Sequence, residues 1–205
     1  MEKLDLKKQL KHLYRPSAKK PSIVEVPPMN FLMIDGQGHP NESEDYHACM
    51  QALYGLSYTI KFASKFKLGV DYVVMALEGL WWTGDAADFS MEDTGAWKWT
   101  SMIMQPDHIT EQFVQQAREE LAAKKDPPAL DQIRFERFDE GLSAQIMHIG
   151  PYDAERPTIE TLHAFIDESG YEMRGKHHEI YLGDPRRTAP ERLKTVLRQP
   201  IRPRA

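Results

Sequence analysis

Two short segments decide the reading of this chain: VVMALEG, Val73 to Gly79, and HHEIYLG, His177 to Gly183. Each is rich in strand-forming residues and each stops on a glycine. Upstream, a second pair matches in the same order, MIDG at Met33 to Gly36 and MHIG at Met147 to Gly150. A helical pattern separates the members of each pair. Segments that recur in one order mark a duplicated structural unit.

Working outward, SIVEVPPMNFLMIDGQG reads as a strand broken by Pro27-Pro28. From Asp45 to Phe66, the residues Tyr46, Met50, Leu53, Leu56, Ile60 and Ala63 recur at helical spacing. They predict a long amphipathic helix that ends before Gly69, with Asn41 and Ser43 as cap candidates. Val70 to Leu80 and Ala96 to Met104 read as strands on either side of an acidic loop, Gly84 to Gly95. Ile109, Phe113, Ala117 and Leu121 share one face of a linking helix over residues 107–125. The pattern then returns: a strand over Ile133 to Ile149 with a turn near Glu140-Gly141, a helix opened by Pro157, and strands over His177 to Leu182 and Leu193 to Ile201.

The expected fold is α+β, with tandem β-α-β-β repeats over residues 21–105 and 131–203 of one domain, 21–205, and an N-terminal arm over 1–20. Each half alone would leave a sheet face bare, so the halves should join around a pseudo-twofold axis. That gives an antiparallel sheet with helices on one side and a ligand cleft on the other.

Composition narrows the function. The 205 residues are 41% hydrophobic and 28% charged, and no apolar run nears the length that spans a bilayer, so no membrane partner is expected. A charged N-terminus without an apolar signal core and a lone Cys49 fit a cytoplasmic protein. Cys49 lies on the apolar side of its helix and reads as packing. The net charge of −5 argues against a nucleic-acid partner. The arginines near the C-terminus, Arg186, Arg187, Arg192, Arg198, Arg202 and Arg204, are interrupted by Asp184 and Glu191 and read as a solvated face.

Within HHEIYLG, Ile180 and Leu182 alternate with Glu179 and Tyr181, and alternate strand residues share a face. With the aliphatic pair on the helices, Glu179 and Tyr181 point into the cleft. A carboxylate on an inner strand is costly to bury, so water, a cation or a reaction must require it; a solvated Glu on an exposed sheet is the competing reading. Superposing Gly79 on Gly183 puts Met75 at the place of Glu179 and Leu77 at that of Tyr181, while the direction of Glu78 stays open. Trp81 and Trp82 follow this strand at the cleft rim, where one indole covers the core and the other stacks on a flat ligand. Trp97 and Trp99 each read as core.

His148, His163, His177 and His178 show neither helical i,i+4 spacing nor an HExxH motif, so no metal is expected. No glycine-rich phosphate loop occurs, and no cofactor is expected.

FLMIDGQG, ALYGLSYTIKF, DYVVMALEGLWW, HEIYL and GDPRRTAPERLKTVLRQP together resemble the GyrI-like small-molecule-binding proteins, from about Pro16 to the C-terminus. The resemblance is narrower to a stand-alone subgroup with the tandem fold. It implies a cleft for flat, hydrophobic and often cationic small molecules, with an acidic residue on an inner strand, a place Glu179 matches. Regulators of this family carry a helix-turn-helix ahead of the domain, for which the residues before the first strand here are too few. Some stand-alone members imply cyclopropanoid cyclopropyl hydrolase activity, which detoxifies DNA-alkylating natural products. Under that reading Glu179 is the general base on a water, and Tyr181, Tyr54, Tyr58 or Tyr152 orients the water or donates to developing charge. The alternative is a protein that binds amphipathic compounds without changing them. The sequence leaves the oligomeric state open.

Overall fold

The computed structural model describes residues 2–40, 44–84 and 94–204. Asn41, Ser43 and most of the acidic loop lie outside the described residues. The arm holds strand β1 (Glu2–Leu4) and two short helical turns, α1 (Leu6–Gln9) and α2 (Lys11–Tyr14). The first unit follows as β2 (Ser22–Val26), β3 (Met29–Gln37), α3 (Glu44–Ala63), β4 (Val70–Tyr72), β5 (Leu77–Trp82) and β6 (Lys98–Gln105). Helix α4 (Glu111–Lys124) links it to the second: β7 (Arg134–Phe138), β8 (Gly141–Ile149), α5 (Arg156–Glu168), β9 (Tyr171–Met173), β10 (His177–Tyr181) and β11 (Lys194–Pro203).

The main sheet runs β2-β8-β11-β10-β5-β6-β3-β7, all antiparallel, with β9 alongside β11. Strands β5 and β10 meet at the centre and relate the two units by a pseudo-twofold. The proline break at Pro27-Pro28 does more than interrupt a strand. It sends β2 to pair with β8 of the other unit, as β7 pairs with β3 of the first, so each unit supplies the other's edge strand. Such an exchange ties the halves into one cooperative body.

Helix α3 buries Cys49, Ala52, Leu53, Leu56 and Ile60. It runs on through a wider turn, Ser64–Leu68, and stops at Gly69, whose φ of 71° is the left-handed conformation that ends helices. Thr110 caps α4 by accepting from the Phe113 N–H at 3.2 Å. Helix α5 packs Ile159, Leu162 and Ile166 on Ala144, Ile146, Leu197 and Ile201. Full burial of such side chains contributes about 1.5–3 kcal/mol each. No described helix is long and apolar enough to cross a membrane.

Register decides which way each strand residue points, because directly opposed residues share a face. Glu179 pairs with Leu197, and Leu197 pairs with Ile146, both under α5. Glu179 and Tyr181 therefore sit on the face that carries the helices, in the gap between α3 and α5. This corrects the expectation that Ile180 and Leu182 face the helices while Glu179 and Tyr181 point away from them. Ile180 faces the other way, because the arm supplies a second apolar cover there with Leu13 and Tyr14.

Two further corrections follow. The stretch Val70 to Leu80 is not one strand: β4 ends at Tyr72 and pairs with β1, and β5 begins at Leu77. Trp81 and Trp82 lie inside β5 rather than past it. The pairing series Met33–Met102–Glu78 and Met147–Val196–Ile180 makes Glu78 the counterpart of Ile180 and Leu77 that of Glu179. Met75 precedes β5 and is buried in the core.

Candidate functional site

Three in-register rows cross the helix-bearing face at its centre: Trp99, Trp81 and His177; then Ser101, Gly79, Glu179 and Leu197; then Ile103, Leu77, Tyr181 and Thr195. Gly79 and Ser101 put the smallest side chains between the helices, and the Trp81 indole and the Tyr181 hydroxyl take up the space over Gly79. Gly79 is required by close approach. A Cβ there would meet the Trp81 Nε1 at 2.6 Å and the Tyr181 hydroxyl at 3.2 Å. Gly36 does the same for Trp99, whose ring would lie 2.1 Å from an added Cβ.

The indole lying across Gly79 starts a hydrogen-bonded chain. Trp81 Nε1–H donates to the Tyr181 hydroxyl at 3.0 Å, and Tyr181 donates to Glu179 Oε2 at 2.6 Å. An indole N–H can only donate, so it fixes the direction of the single phenol proton toward the carboxylate. Burial, and then the Glu179 charge, raise the Tyr181 pKa far above its ordinary value, so it remains a donor. The other carboxylate oxygen, Oε1, lies 3.3 Å from His177 Nε2.

A second acid completes the site. Glu155, just ahead of the first turn of α5, is buried, and Oε1 has no hydrogen-bond partner among the described residues. Burial and the neighbouring Glu179 charge push its pKa up to about 9. A carboxyl group held protonated beside a second carboxyl group is the arrangement that lets one act as acid and the other as base.

Aromatic rings wall the site. Tyr152 meets Tyr181 edge-on at 5.6 Å, Trp97 meets Trp81 edge-on at 5.5 Å, and Tyr46 of α3 meets Trp99 edge-on at 5.1 Å. His39 stacks on Trp97 at 5.5 Å. Burial holds the Tyr46 and Tyr152 phenols protonated, with pKa values pushed up to about 12.

The structure brings Glu179, Tyr181, Trp81, Leu77 and Tyr152 together. Tyr54 and Tyr58 stand partly exposed on α3, Tyr54 close enough to Asp184 for that charge to raise its pKa after burial has done so. Trp82, Glu78 and Met75 do not belong: Trp82 and Glu78 point to the opposite face, and Met75 is core. Glu78 there accepts from Tyr14 at 2.6 Å and contacts His178 Nε2 at 3.0 Å. The sequence reading missed Glu155, His177 and Tyr46. Only the acid immediately before Arg156-Pro157 at a helix start could have signalled Glu155. Among the described residues no three acidic, histidine or cysteine side chains are grouped to hold a metal ion.

The C-terminal arginines are largely engaged: Arg186 pairs with Asp184, Arg202 with Glu172 and Arg204 with Asp167, and Arg198 is buried.

Comparison with known proteins gives a consistent picture. Residues 19–202 match the model of the GyrI-like small molecule binding domain. An uncharacterized conserved protein from Listeria innocua is 41% identical, with a TM-score of 0.90 over 97% of this chain and 100% of that one. A hydrolase encoded by lin2189 from the same organism is 40% identical, with a TM-score of 0.87 over 98% of this chain and 100% of that one. The EcmrR C-terminal domain, 11% identical with a TM-score of 0.57 over 90% of this chain and 98% of that one, shares the fold. The search of curated proteins gave no match.

Proposed function

The chain belongs to the GyrI-like small-molecule-binding family, and from that premise we propose that its helix-side cleft binds flat, hydrophobic small molecules and hydrolyses cyclopropanoid alkylators. The observation that carries the hydrolytic reading is the pair of carboxyl groups: Glu155 held protonated by burial and by its neighbour, and Glu179 held in place by Tyr181. The 40%-identical relative described as a hydrolase supports it.

The substrate carries a cyclopropane fused to a dienone. Glu179 takes a proton from water as the water oxygen bonds to the ring methylene. The breaking ring bond sends its electron pair into the dienone, which becomes a phenolate, and Glu155 supplies the proton that neutralises it. The sum is addition of one water, with the two carboxyl groups exchanging their protonation states. Tyr181 is a positioning residue, because its only proton is already committed to Glu179. Trp81, Trp97 and Tyr152 bind the flat body and exclude bulk water.

Incubation with a cyclopropanoid should give the ring-opened hydrate by mass spectrometry. General acid–base residues contribute roughly 10²–10⁴-fold, so Glu179→Gln and Glu155→Gln should each lose at least about a hundredfold in rate. Full activity in both variants sinks the mechanism. The second reading, binding without turnover, is favoured by the same acidic and aromatic walls, which suit a planar cation. It predicts that such a ligand binds and is recovered intact.

A further inference from the structure

The opposite face of the same two central strands carries a separate groove of contrary charge. A cavity of ≈ 420 Å³ is lined by Asp35, Gly36, Gln37, Trp82, Lys98, Arg134 and Lys176. Next to it a second hollow of ≈ 270 Å³ shares Arg134 and Lys176, and its lining sets Leu80, Phe138 and Pro200 among the acids Glu136, Asp139 and Glu140. Asp35 is spoken for: Arg134 grips it through Nη1 at 2.7 Å and Nη2 at 3.2 Å, and Thr100 donates to it at 2.6 Å. That leaves Lys98 and Lys176, which form no ion pair among the described residues. The Lys176 ammonium stands 3.4 Å from the centre of the Trp82 ring, so it is held in the groove wall rather than swinging into water. Burial lowers its pKa, with the Asp35 and Glu136 charges opposing the shift and Arg134 adding to it.

Two lysines free of ion pairs among the described residues and set beside an indole, with the neighbouring Asp35 and Glu136 already held by Arg134 and Glu140 by Arg198, have a definite chemical complement. We propose that this groove binds an amphipathic organic anion, its acid group held by Lys98 and Lys176 beside Trp82 and its apolar body lying over Leu80, Phe138 and Pro200. The helix-side site, where Glu179 and Glu155 meet, offers such a molecule no lysine or arginine partner of this kind among the described residues. The two sites select opposite charges from the two faces of one sheet, and this one is independent of any reaction at Glu179.

The test uses anilinonaphthalene sulfonate as the anionic probe and phenylnaphthylamine, the same ring system without the acid group, as the neutral one. Saturable fluorescence binding of the sulfonate is expected. The double variant K98Q/K176Q should weaken it by about tenfold while changing the neutral probe by no more than about twofold, since two partly exposed pairs together contribute roughly one factor of ten. Glu179→Gln should leave sulfonate binding unchanged. Absence of saturable binding, equal losses for the two probes, or loss in Glu179→Gln overturns the proposal. Should K98Q/K176Q also melt at lower temperature, K98R/K176R decides: sulfonate binding retained there supports the site, and binding lost there rejects it.

Discussion

Both faces of the sheet centre hold a tyrosine that donates to a glutamate at 2.6 Å, Tyr181 to Glu179 under the helices and Tyr14 to Glu78 under the arm. What surrounds them differs. On the arm side, Glu78 and Glu140 are matched by His178 and Arg198. His178 contacts Glu140 at 2.8 Å and Glu78 at 3.0 Å, and Arg198 donates to Glu140 at 3.0 Å. Arg198 also donates to the Leu13 carbonyl at 2.8 Å and Gln145 to that of His12 at 2.7 Å, so the network fastens the arm to the sheet. On the helix side two acids share the site, and one answers by staying protonated. A balanced buried network is structural; an unbalanced one retains capacity to act on something else.

The largest expected effect comes from unbalancing the arm side. Arg198→Met leaves Glu140 buried beside a single cation and strips the Leu13 carbonyl and Gln145 Oε1 of their donor, which should cost about 3–5 kcal/mol of unfolding free energy. Glu179→Gln, on the other face, should cost little or even stabilise, because it removes one of two neighbouring acids. Denaturant unfolding of both variants checks this. Comparable losses in the two would erase the distinction between the faces.

The sequence revealed the duplication because MIDG and MHIG, with the glycine- and proline-marked boundaries, are local signals. The direction of β10 was not local. Assigning Ile180 and Leu182 to the helices assumed that only one face of the sheet had an apolar cover. Leu13 and Tyr14 bring a second cover from the far end of the chain, and alternation on a strand buried on both sides does not tell the faces apart. The adjacent indoles were legible as unequal but were both assigned to one cleft rim, whereas the strand turns Trp81 to the helix face and Trp82 to the other. Glu155 was invisible because its unusual protonation arises from burial beside Glu179, which exists only in the folded chain.

The next effect separates the faces by pH. Burial alone would lower the His178 pKa, but Glu140 and Glu78 outweigh it and hold the imidazolium at about 9. Its stabilisation is fully present below an unfolded value of about 6.5 and is lost as pH rises through 9. Burial alone would raise the Glu140 pKa, yet His178 and Arg198 bring it to about 2, so its stabilisation is lost as pH falls from about 4.5 toward 2. Glu155 has the opposite sign to Glu140. Its folded pKa is raised to about 9, so the folded state holds a proton that the unfolded chain releases, and stability declines from about pH 4.5 upward. Wild-type stability should therefore fall by a few kcal/mol, order of magnitude, between about pH 4.5 and 9. Glu155→Gln should flatten the part between about pH 4.5 and 6.5 and roughly halve the slope above it, where His178 continues to act. An unchanged curve in Glu155→Gln would mean that the acid is not held protonated by the fold.

The smallest expected effect tests the hydrogen-bonded chain itself. Trp81→Phe keeps a ring against Trp97 but removes the N–H that fixes the Tyr181 proton, a hydrogen bond that contributes about 0.5–1.5 kcal/mol. With its donor gone, the phenol can turn away from Glu179, so the carboxylate loses its fixed orientation while the flat walls remain. On the hydrolytic reading kcat should drop roughly fivefold with KM nearly unchanged, because an orienting contact, and not ligand burial, has been removed. Trp82→Phe, one residue along and on the other face, should leave kcat alone. A KM increase without a change in kcat would make Trp81 a simple stacking surface, and equal kcat losses in the two variants would place the effect in the strand rather than in the chain from Trp81 through Tyr181 to Glu179.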